Sequence, residues 1–155
     1  MPIQKLKKFL DSHQVQYLLM DHEPAYTARE TAASATVPRR EFAKAVMVRL
    51  DGVLAMAVVP ASRRVDLERL SRLANASTAT LASEDDFRES FPDCEIGAMP
   101  PFGNLYEMDV YASDELMEDD DIVFNAGSHT QAMRLAVDDY RRLVKPKVAD
   151  IAARE

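Results

Sequence analysis

Two apolar runs separated by only two residues are the strongest constraint on how this chain folds. Residues 45–50 (AVMVRL) and 53–59 (VLAMAVV) flank the dipeptide Asp51-Gly52. Asp-Gly is typical of a two-residue hairpin turn in which both residues take positive φ. The sequence therefore predicts an antiparallel hairpin. Because both strands are apolar on both faces, we expect the pair to lie mid-sheet with helices covering one or both sides.

Amphipathic helices are predicted before and after this hairpin in the chain. Apolar residues recur at helical spacing in residues 3–10 and again in residues 67–73. Thr27 and Glu30 have the spacing of a capping box, in which each side chain bonds the other residue's backbone N–H. The Ala-rich helix that they open is expected to end before Pro38.

The remaining elements are predicted to be short, and they follow one another without a regular βαβ alternation. We expect strands at residues 17–20, 106–112, 121–125 and 131–136, and helices at residues 84–90 and 138–144. No internal repeat, low-complexity tract or flexible linker interrupts the chain. The sequence therefore predicts one domain over residues 1–155, with a mixed α/β or α+β sheet.

The composition excludes several classes of protein. Hydrophobic residues make up 47% and charged residues 29% of the chain, as in ordinary globular domains. No apolar stretch approaches the roughly eighteen residues of a membrane span, and no apolar segment of a signal peptide follows the basic start. Cys94 is the only cysteine. We therefore expect no internal disulfide, no membrane partner and a cytoplasmic location.

The charge balance argues against a DNA-binding protein, because phosphate contacts supply most of the affinity for DNA. Nineteen Lys and Arg against 26 Asp and Glu give a net charge of −7. Part of the negative charge lies in residues 114–121, which are most simply a solvated turn. Binding of RNA would need a local basic face. The candidate patches, each of which could equally be ordinary solvated surface, are Arg39 with Arg40, Arg63 with Arg64, and Lys145 with Lys147.

No metal or cofactor is expected. The three histidines and one cysteine form no zinc signature, and neither a phosphate-binding P-loop nor a dinucleotide-binding glycine motif is present.

Lys44 and the loop at residues 97–103 (GAMPPFG) are the first two places that could carry chemistry. Lys44 stands just before the first hairpin strand, where rigid backbone would hold its charge, although strand-end lysines are commonly plain surface residues. In the loop, glycines permit positive φ and prolines fix the shape between them. Such a loop could present backbone N–H groups to an oxyanion. Alternatively it is structural, with Met99 and Phe102 as core residues.

The third place is the turn at residues 125–129 (NAGSH), which presents Ser128 and His129. Adjacent residues rarely meet in the geometry of a nucleophile and its base, and no orienting acid is evident. We interpret His129 as a substrate-contacting or proton-handling residue, with a plain capping turn as the alternative. Cys94 is not expected to be a nucleophile, because its acidic neighbours raise the pKa of a thiol.

Taken in chain order, these features resemble the YbaK/prolyl-tRNA-editing domain family. The resemblance covers about residues 3–145 and is carried by His22-Glu23-Pro24, Thr27-x-x-Glu30, Lys44 before an apolar strand, Gly97-x-x-x-Pro101 and the turn at 125–129. It implies a mixed α/β fold, with a largely antiparallel sheet and surrounding helices. It also implies a free-standing hydrolase that removes a wrong amino acid from tRNA, a proofreading step of translation.

The resemblance further implies the roles of individual residues and the partners. Lys44, Gly97 and His129 match positions that family members use for catalysis. The expected substrate-binding set is Ala98, Met99, Pro100, Pro101, Phe102, Gly127 and Ser128. The expected partners are the acceptor end of an aminoacyl-tRNA and, in addition, an aminoacyl-tRNA synthetase. A pocket lined by this loop suits a small side chain, such as alanine, serine, threonine or a small thiol.

Two alternatives of other classes remain open. One is a non-catalytic module that binds aminoacyl-tRNA or a synthetase, and the other is a hydrolase of a different small acyl ester or amide. The joint presence of Lys44, Gly97, Pro101 and His129 favours the enzyme over the module. Ala45 stands where some family members carry a polar residue, so the substrate cannot be copied from any one subgroup.

Overall fold

The computed structural model describes residues 4–22, 41–95 and 97–154. The predicted capping box at Thr27 and Glu30 and the helix ending before Pro38 lie outside these residues. The described α-helices are α1 (Gln4–Ser12), α2 (Leu67–Leu73), α3 (Glu84–Phe87), α4 (Asp114–Met117) and α5 (Val137–Val144). Two 3₁₀ helices span Arg88–Ser90 and Gly103–Tyr106. The strands are β1 (Tyr17–Asp21), β2 (Phe42–Leu50), β3 (Val53–Pro60), β4 (Arg63–Val65), β5 (Ala79–Leu81), β6 (Val110–Ser113), β7 (Asp121–Ser128), β8 (Gln131–Ala136), β9 (Lys147–Ala149) and β10 (Ala152–Arg154).

The main sheet has the strand order β1-β8-β7-β2-β3-β6-β9, and β5 also pairs with β2. Pairing is antiparallel for β1 with β8, β7 with β8, and β2 with both β3 and β5. It is parallel for β2 with β7, β3 with β6, and β6 with β9. A second, two-stranded sheet joins β4 to β10. The predicted mixed α/β class, with mostly antiparallel pairing and surrounding helices, is confirmed.

The predicted hairpin lies at the centre of the sheet. Leu50 pairs with Val53, and the turn residues Asp51 and Gly52 have φ values of 50° and 85°. The Asp51 carboxylate accepts hydrogen bonds from the backbone N–H groups of Ser77 and Thr78. These bonds, the one from Thr78 first, hold the pKa of Asp51 below its ordinary value. The turn is therefore tied to the segment that leads into β5.

Alternation along the strands divides the apolar residues between the two faces of the sheet. One face carries the largest buried cluster, which includes residues of α1, α5, β2 and β7, among them Leu6, Leu10, Met47, Phe124 and Tyr140. The other face carries two smaller clusters. The first includes Val48, Val59 and Leu70, and the second comprises Phe42, Ala61, Val123 and Ala132.

Two strands share one edge of β2. β7 pairs with Phe42 and Ala43 at its start, and β5 pairs with residues 48–50 at its end. Residues 44–47 therefore lie where β7 and β5 diverge. This divergence is the feature of the sheet that positions Lys44.

Several element boundaries differ from the predictions. The strand predicted at residues 106–112 begins only at Val110, and Tyr106 ends a 3₁₀ helix instead. Glu107 takes a φ of 61°, and Met108 N–H donates to Gly103 C=O. The acidic segment predicted as a turn begins with α4, which Ser113 caps. In α2 only Leu70 is buried, and Leu73 is 37% exposed. Strands β4, β5, β9 and β10 were not predicted.

None of the helices in the described part of the chain combines the length and apolar character needed to cross a membrane.

Candidate active site

The loop that contains Gly97 is built on a tight turn. Ala98 N–H donates to Glu95 C=O at 3.0 Å, and Gly97, the third residue of this turn, has a φ of +88°. That backbone conformation favours glycine, because a Cβ makes it strained. Gly97 N–H faces the Met99 Sδ at 3.3 Å, and a thioether is only a weak acceptor. Gly97 itself is exposed.

The turn is joined to β7 by a reciprocal pair of backbone hydrogen bonds. Glu95 N–H donates to Gly127 C=O at 2.9 Å, and Gly127 N–H donates to Ala98 C=O at 3.0 Å. Gly127 is available for this contact because β7 has a bulge there. Asn125 pairs with Ala132 and Ser128 with Gln131, which leaves two residues of β7 outside the register. Both backbone polar groups of Gly127 are therefore committed to the loop.

This joint brings Gly97 against His129. A Cβ added to Gly97 would lie 3.4 Å from Cε1 of His129 and 4.0 Å from its Nε2. The imidazole is 12% exposed. The Gly-x-x-x-Pro loop and the Gly-Ser-His turn, which are separate motifs in the sequence, therefore form one site.

Glu95 holds His129 in place. Its Oε2 accepts the backbone N–H of His129 at 3.1 Å and lies 3.8 Å from Nε2 of the ring. The second distance exceeds a hydrogen bond but allows an ion pair with a protonated imidazole. In the sequence, Glu95 is one of the two acidic neighbours of Cys94 and belongs to none of the motifs. Its place two residues before Gly97 was the one local signal, and nothing there indicated a contact with His129.

The side chains of the loop are directed to the core rather than to solvent. Ala98, Met99, Pro100, Pro101 and Phe102 are all buried. Met99 and Phe102 belong to the largest buried cluster, and the Phe102 ring packs against Phe124 and Tyr140. The Tyr140 hydroxyl donates to Pro101 C=O at 2.7 Å. Met99 and Phe102 are therefore core residues. The part of the loop that is open to solvent is the backbone at Gly97.

Lys44 lies within β2, not before it, because the strand begins at Phe42. It is half-buried and pairs with Val59 of β3. On its other side, Phe42 and Ala43 pair in parallel with Val123 and Phe124 of β7. Lys44 therefore stands one residue beyond the last pair, at the point where β7 leaves β2.

The structure argues against both possible nucleophiles of the sequence, Ser128 and Cys94. Ser128 is buried, and its Oγ accepts the backbone N–H of Thr130 at 3.4 Å, as in a side-chain-capped turn. Burial raises the pKa of the Cys94 thiol to about 12. A thiol that remains protonated at neutral pH is a poor nucleophile.

The predicted basic residues are only partly described. Arg39 and Arg40 lie outside the described residues. Arg63 and Arg64 lie in β4, which follows β3, and Arg63 Nε is 3.4 Å from the Glu115 carboxylate.

The acidic segment borders a cavity of about 310 Å³ at the start of β7, whereas His129 follows the end of β7. The residues that line this cavity are Glu41, Glu118, Asp119, Asp120, Asp121 and Arg134.

Within residues 4–22, 41–95 and 97–154, no three His, Cys, Asp or Glu side chains are grouped so that they could hold a metal ion.

Comparisons with known proteins show the family of this chain. The family model described as the aminoacyl-tRNA editing domain matches residues 22–143. A protein of Escherichia coli (strain K12), named Multifunctional Ser/Thr-tRNA deacylase ProXp-y, is 26% identical over 152 residues, which are 95% of this chain and 90% of that protein.

Solved structures show the same fold. One, described as hypothetical protein APE2540, superposes with a TM-score of 0.87 at 18% identity, over 97% of this chain and 100% of the other. Another, described as a proposed trans-editing enzyme for prolyl-tRNA synthetase, superposes with a TM-score of 0.80 at 19% identity, over 97% and 96% of the two chains.

Proposed function

The chain belongs to the aminoacyl-tRNA editing domain family, and on that premise we propose that it is a trans-editing deacylase for tRNA misacylated with serine or threonine. Hydrolysis of misacylated tRNA is the activity that the family and the name of the Escherichia coli relative both indicate. Serine and threonine come from that relative's name and agree with the small side chain expected from the sequence. The observation that carries the proposal is the contact between Gly97 and His129.

The reaction adds water to the ester carbonyl carbon, and collapse of the tetrahedral intermediate breaks the bond to the ribose oxygen. The developing oxyanion needs preorganised donors. Gly97 N–H is suited to this role because its partner, the Met99 sulfur, is a weak acceptor that an oxyanion can replace. Gly127 N–H is not suited, because it already donates to Ala98 C=O. We assign the backbone donor to Gly97 and a loop-positioning role to Gly127.

His129 is placed to contact the reacting group or the attacking water. It adjoins Gly97, so a carbonyl oxygen bound at Gly97 N–H would bring the ester near the imidazole. Glu95 fixes its backbone and approaches its ring. With Ser128 and Cys94 in other roles, water is the nucleophile, and the ribose oxygen that leaves takes up the proton that water gives up.

Lys44 supplies a fixed positive charge. A lysine within a strand has a rigid backbone, and its ammonium group is a compact point charge. We propose that it stabilises negative charge, either on the phosphate of the terminal adenosine or on the oxyanion.

Binding of the tRNA is assigned to arginines near this end of the sheet. Arg63 and Arg64 come shortly after Pro60, which pairs with Ala43 of β2. The sequence adds Arg39 and Arg40 to this set. We propose the acceptor end of aminoacyl-tRNA as the partner in the cytoplasm, where translation takes place, with an aminoacyl-tRNA synthetase as a further partner.

The test is a deacylation assay on a panel of aminoacyl-tRNAs, with the methyl esters of the same amino acids run in parallel. The proposal expects release of serine and threonine from tRNA, and much slower turnover of the free esters. Binding of tRNA without release would support the non-catalytic module instead. Equal turnover of the methyl esters, unaffected by tRNA, would support a general small-ester hydrolase.

A further inference from the structure

Asn125 is a buried polar residue whose amide is not fully used. Asn125 is 5% exposed, and its Oδ1 has no hydrogen-bond partner among residues 4–22, 41–95 and 97–154. Buried polar atoms in native proteins are nearly always paired, and an unpaired one calls for an explanation. An apolar side chain of similar size would avoid the cost of the unpaired oxygen.

The strand pattern shows which face of the sheet Asn125 occupies. Ile122, Phe124 and Ala126 belong to the largest buried cluster, on one face. Val123 lies between them and belongs to the small cluster on the other face, with Phe42 and Ala132. Asn125 pairs with Ala132 and, by the same alternation, shares that second face.

The last pairs of β2 with β7 indicate where Asn125 lies relative to Lys44. Phe42 pairs with Val123 and Ala43 with Phe124, so Lys44 and Asn125 are the residues that follow the last pair on the two strands. In parallel strands, residues at equivalent positions point to the same face of the sheet. The unpaired amide oxygen and the lysine of the proposed site therefore lie on the same face, one residue beyond that pair.

We propose that Asn125 is a specificity-determining residue, whose Oδ1 accepts a hydrogen bond from the side-chain hydroxyl of a seryl or threonyl substrate. This assignment rests on the proposed deacylase function. An amide oxygen needs a donor, and the aminoacyl group offers the side-chain hydroxyl or the α-ammonium. The positive charge of Lys44 disfavours a second cation beside it, whereas a hydroxyl is neutral.

The apolar character of this face explains why such a residue would be useful. The small cluster on the face of Asn125 is apolar, and apolar contacts alone separate serine from alanine poorly. A buried acceptor does separate them, because alanine leaves it unpaired. In a site that binds a hydroxyl, this oxygen is expected to be unpaired in the free protein and paired when the substrate is bound.

The test compares the wild type with Asn125→Leu on one tRNA charged in turn with serine, threonine and alanine. We expect kcat/KM to fall about tenfold or more for the first two substrates and less than about threefold for the third. Asn125→Asp keeps an acceptor and should retain the preference for the hydroxyl. Asn104→Leu, at an exposed asparagine of the 103–106 helix, is the matched control and should change none of the three rates.

Thermal unfolding of Asn125→Leu separates this role from a structural one, since loss of an unpaired oxygen should leave Tm unchanged or raised. An equal loss on all three substrates, no loss on any, or a clearly lowered Tm would each overturn the assignment. A wild type that releases no amino acid from any of the three tRNAs would overturn the deacylase proposal and this assignment with it. Retained deacylation with an unaltered serine-to-alanine ratio in Asn125→Leu would overturn the assignment alone.

Discussion

Gly97 and His129 are in contact across two separate loops, with only 3.4 Å between the position of a Cβ on Gly97 and Cε1 of the imidazole. The contact exists because the turn at Glu95 and the bulge at Gly127 exchange backbone hydrogen bonds. Two requirements therefore act on Gly97 together. Its φ of +88° disfavours a side chain, and a side chain there would fill the space beside the ring.

Gly97→Ala should reduce deacylation far more than it reduces stability. We expect a loss of about 1 kcal/mol of unfolding free energy from the positive φ, and a fall in kcat of about tenfold or more because the methyl group occupies the space beside His129 that the substrate carbonyl needs. Urea unfolding and single-turnover deacylation measure the two effects.

Gly52→Ala is the matched control for this substitution. Gly52 has nearly the same φ, 85°, but nothing lies within 4 Å of an added Cβ. It should lose similar stability and keep its activity. Equal activity in the two variants would show that the space beside His129 does not matter to the reaction.

Glu95→Ala should lower kcat by about tenfold with little change in KM. The substitution removes the acceptor for the backbone N–H of His129 and the carboxylate near its ring, so the imidazole loses its fixed position. Glu95→Gln keeps an acceptor and should recover part of the rate. Glu89→Ala, at an exposed glutamate of the 3₁₀ helix 88–90, is the control. A Glu95→Ala enzyme with wild-type kcat would remove Glu95 from the site.

Tyr140→Phe should destabilise the protein by about 1–2 kcal/mol. The fully buried Tyr140 hydroxyl is a donor to Pro101 C=O, and its removal leaves that buried carbonyl without this bond. Because Pro101 anchors the loop of the proposed site, we also expect a modest rise in KM. Tyr17→Phe removes a more exposed hydroxyl bonded to Asp11 and should cost less than about 0.5 kcal/mol. Equal losses in the two variants would contradict the assignment of the anchor.

Asp86 should make stability depend on pH in the acid range. A hydrogen bond from Arg49, with others from Ser83, lowers the pKa of Asp86 to about 2. The unfolded chain, with an ordinary aspartate pKa near 4, therefore takes up the proton first as the pH falls. The stabilisation is present above about pH 4 and is lost towards pH 2. Asp86→Asn should lower the urea midpoint at pH 7 and match the wild type near pH 2. A constant difference at all pH values would show that the charge is not responsible.

The sequence was sufficient for elements whose cause is local. The Asp51-Gly52 hairpin and α1 each depend on residues close together in the chain, and each was predicted. The 3₁₀ helix at 103–106 is followed by a positive φ at Glu107. Glutamate rarely takes a positive φ, so no sequence pattern predicted this helix.

The candidate site was predictable in its parts but not in its assembly. Lys44, Gly97 and His129 were named from their motifs and from the resemblance, and their roles stay predictions. The contact of Glu95 with His129 and the unpaired oxygen of Asn125 both arise where distant segments meet at the bulge of β7. Such contacts depend on tertiary geometry, which spacing along one chain does not encode.

The deacylase activity and the role of Lys44 are tested together by the single-turnover rate of serine release from Ser-tRNA, measured for the wild type and for Lys44→Ala. Lys8→Ala, at an exposed lysine of α1, serves as the control. We predict rapid release by the wild type and by the control, and a loss of about 100-fold in Lys44→Ala. Release at the wild-type rate by Lys44→Ala, or no release by the wild type, would contradict the account.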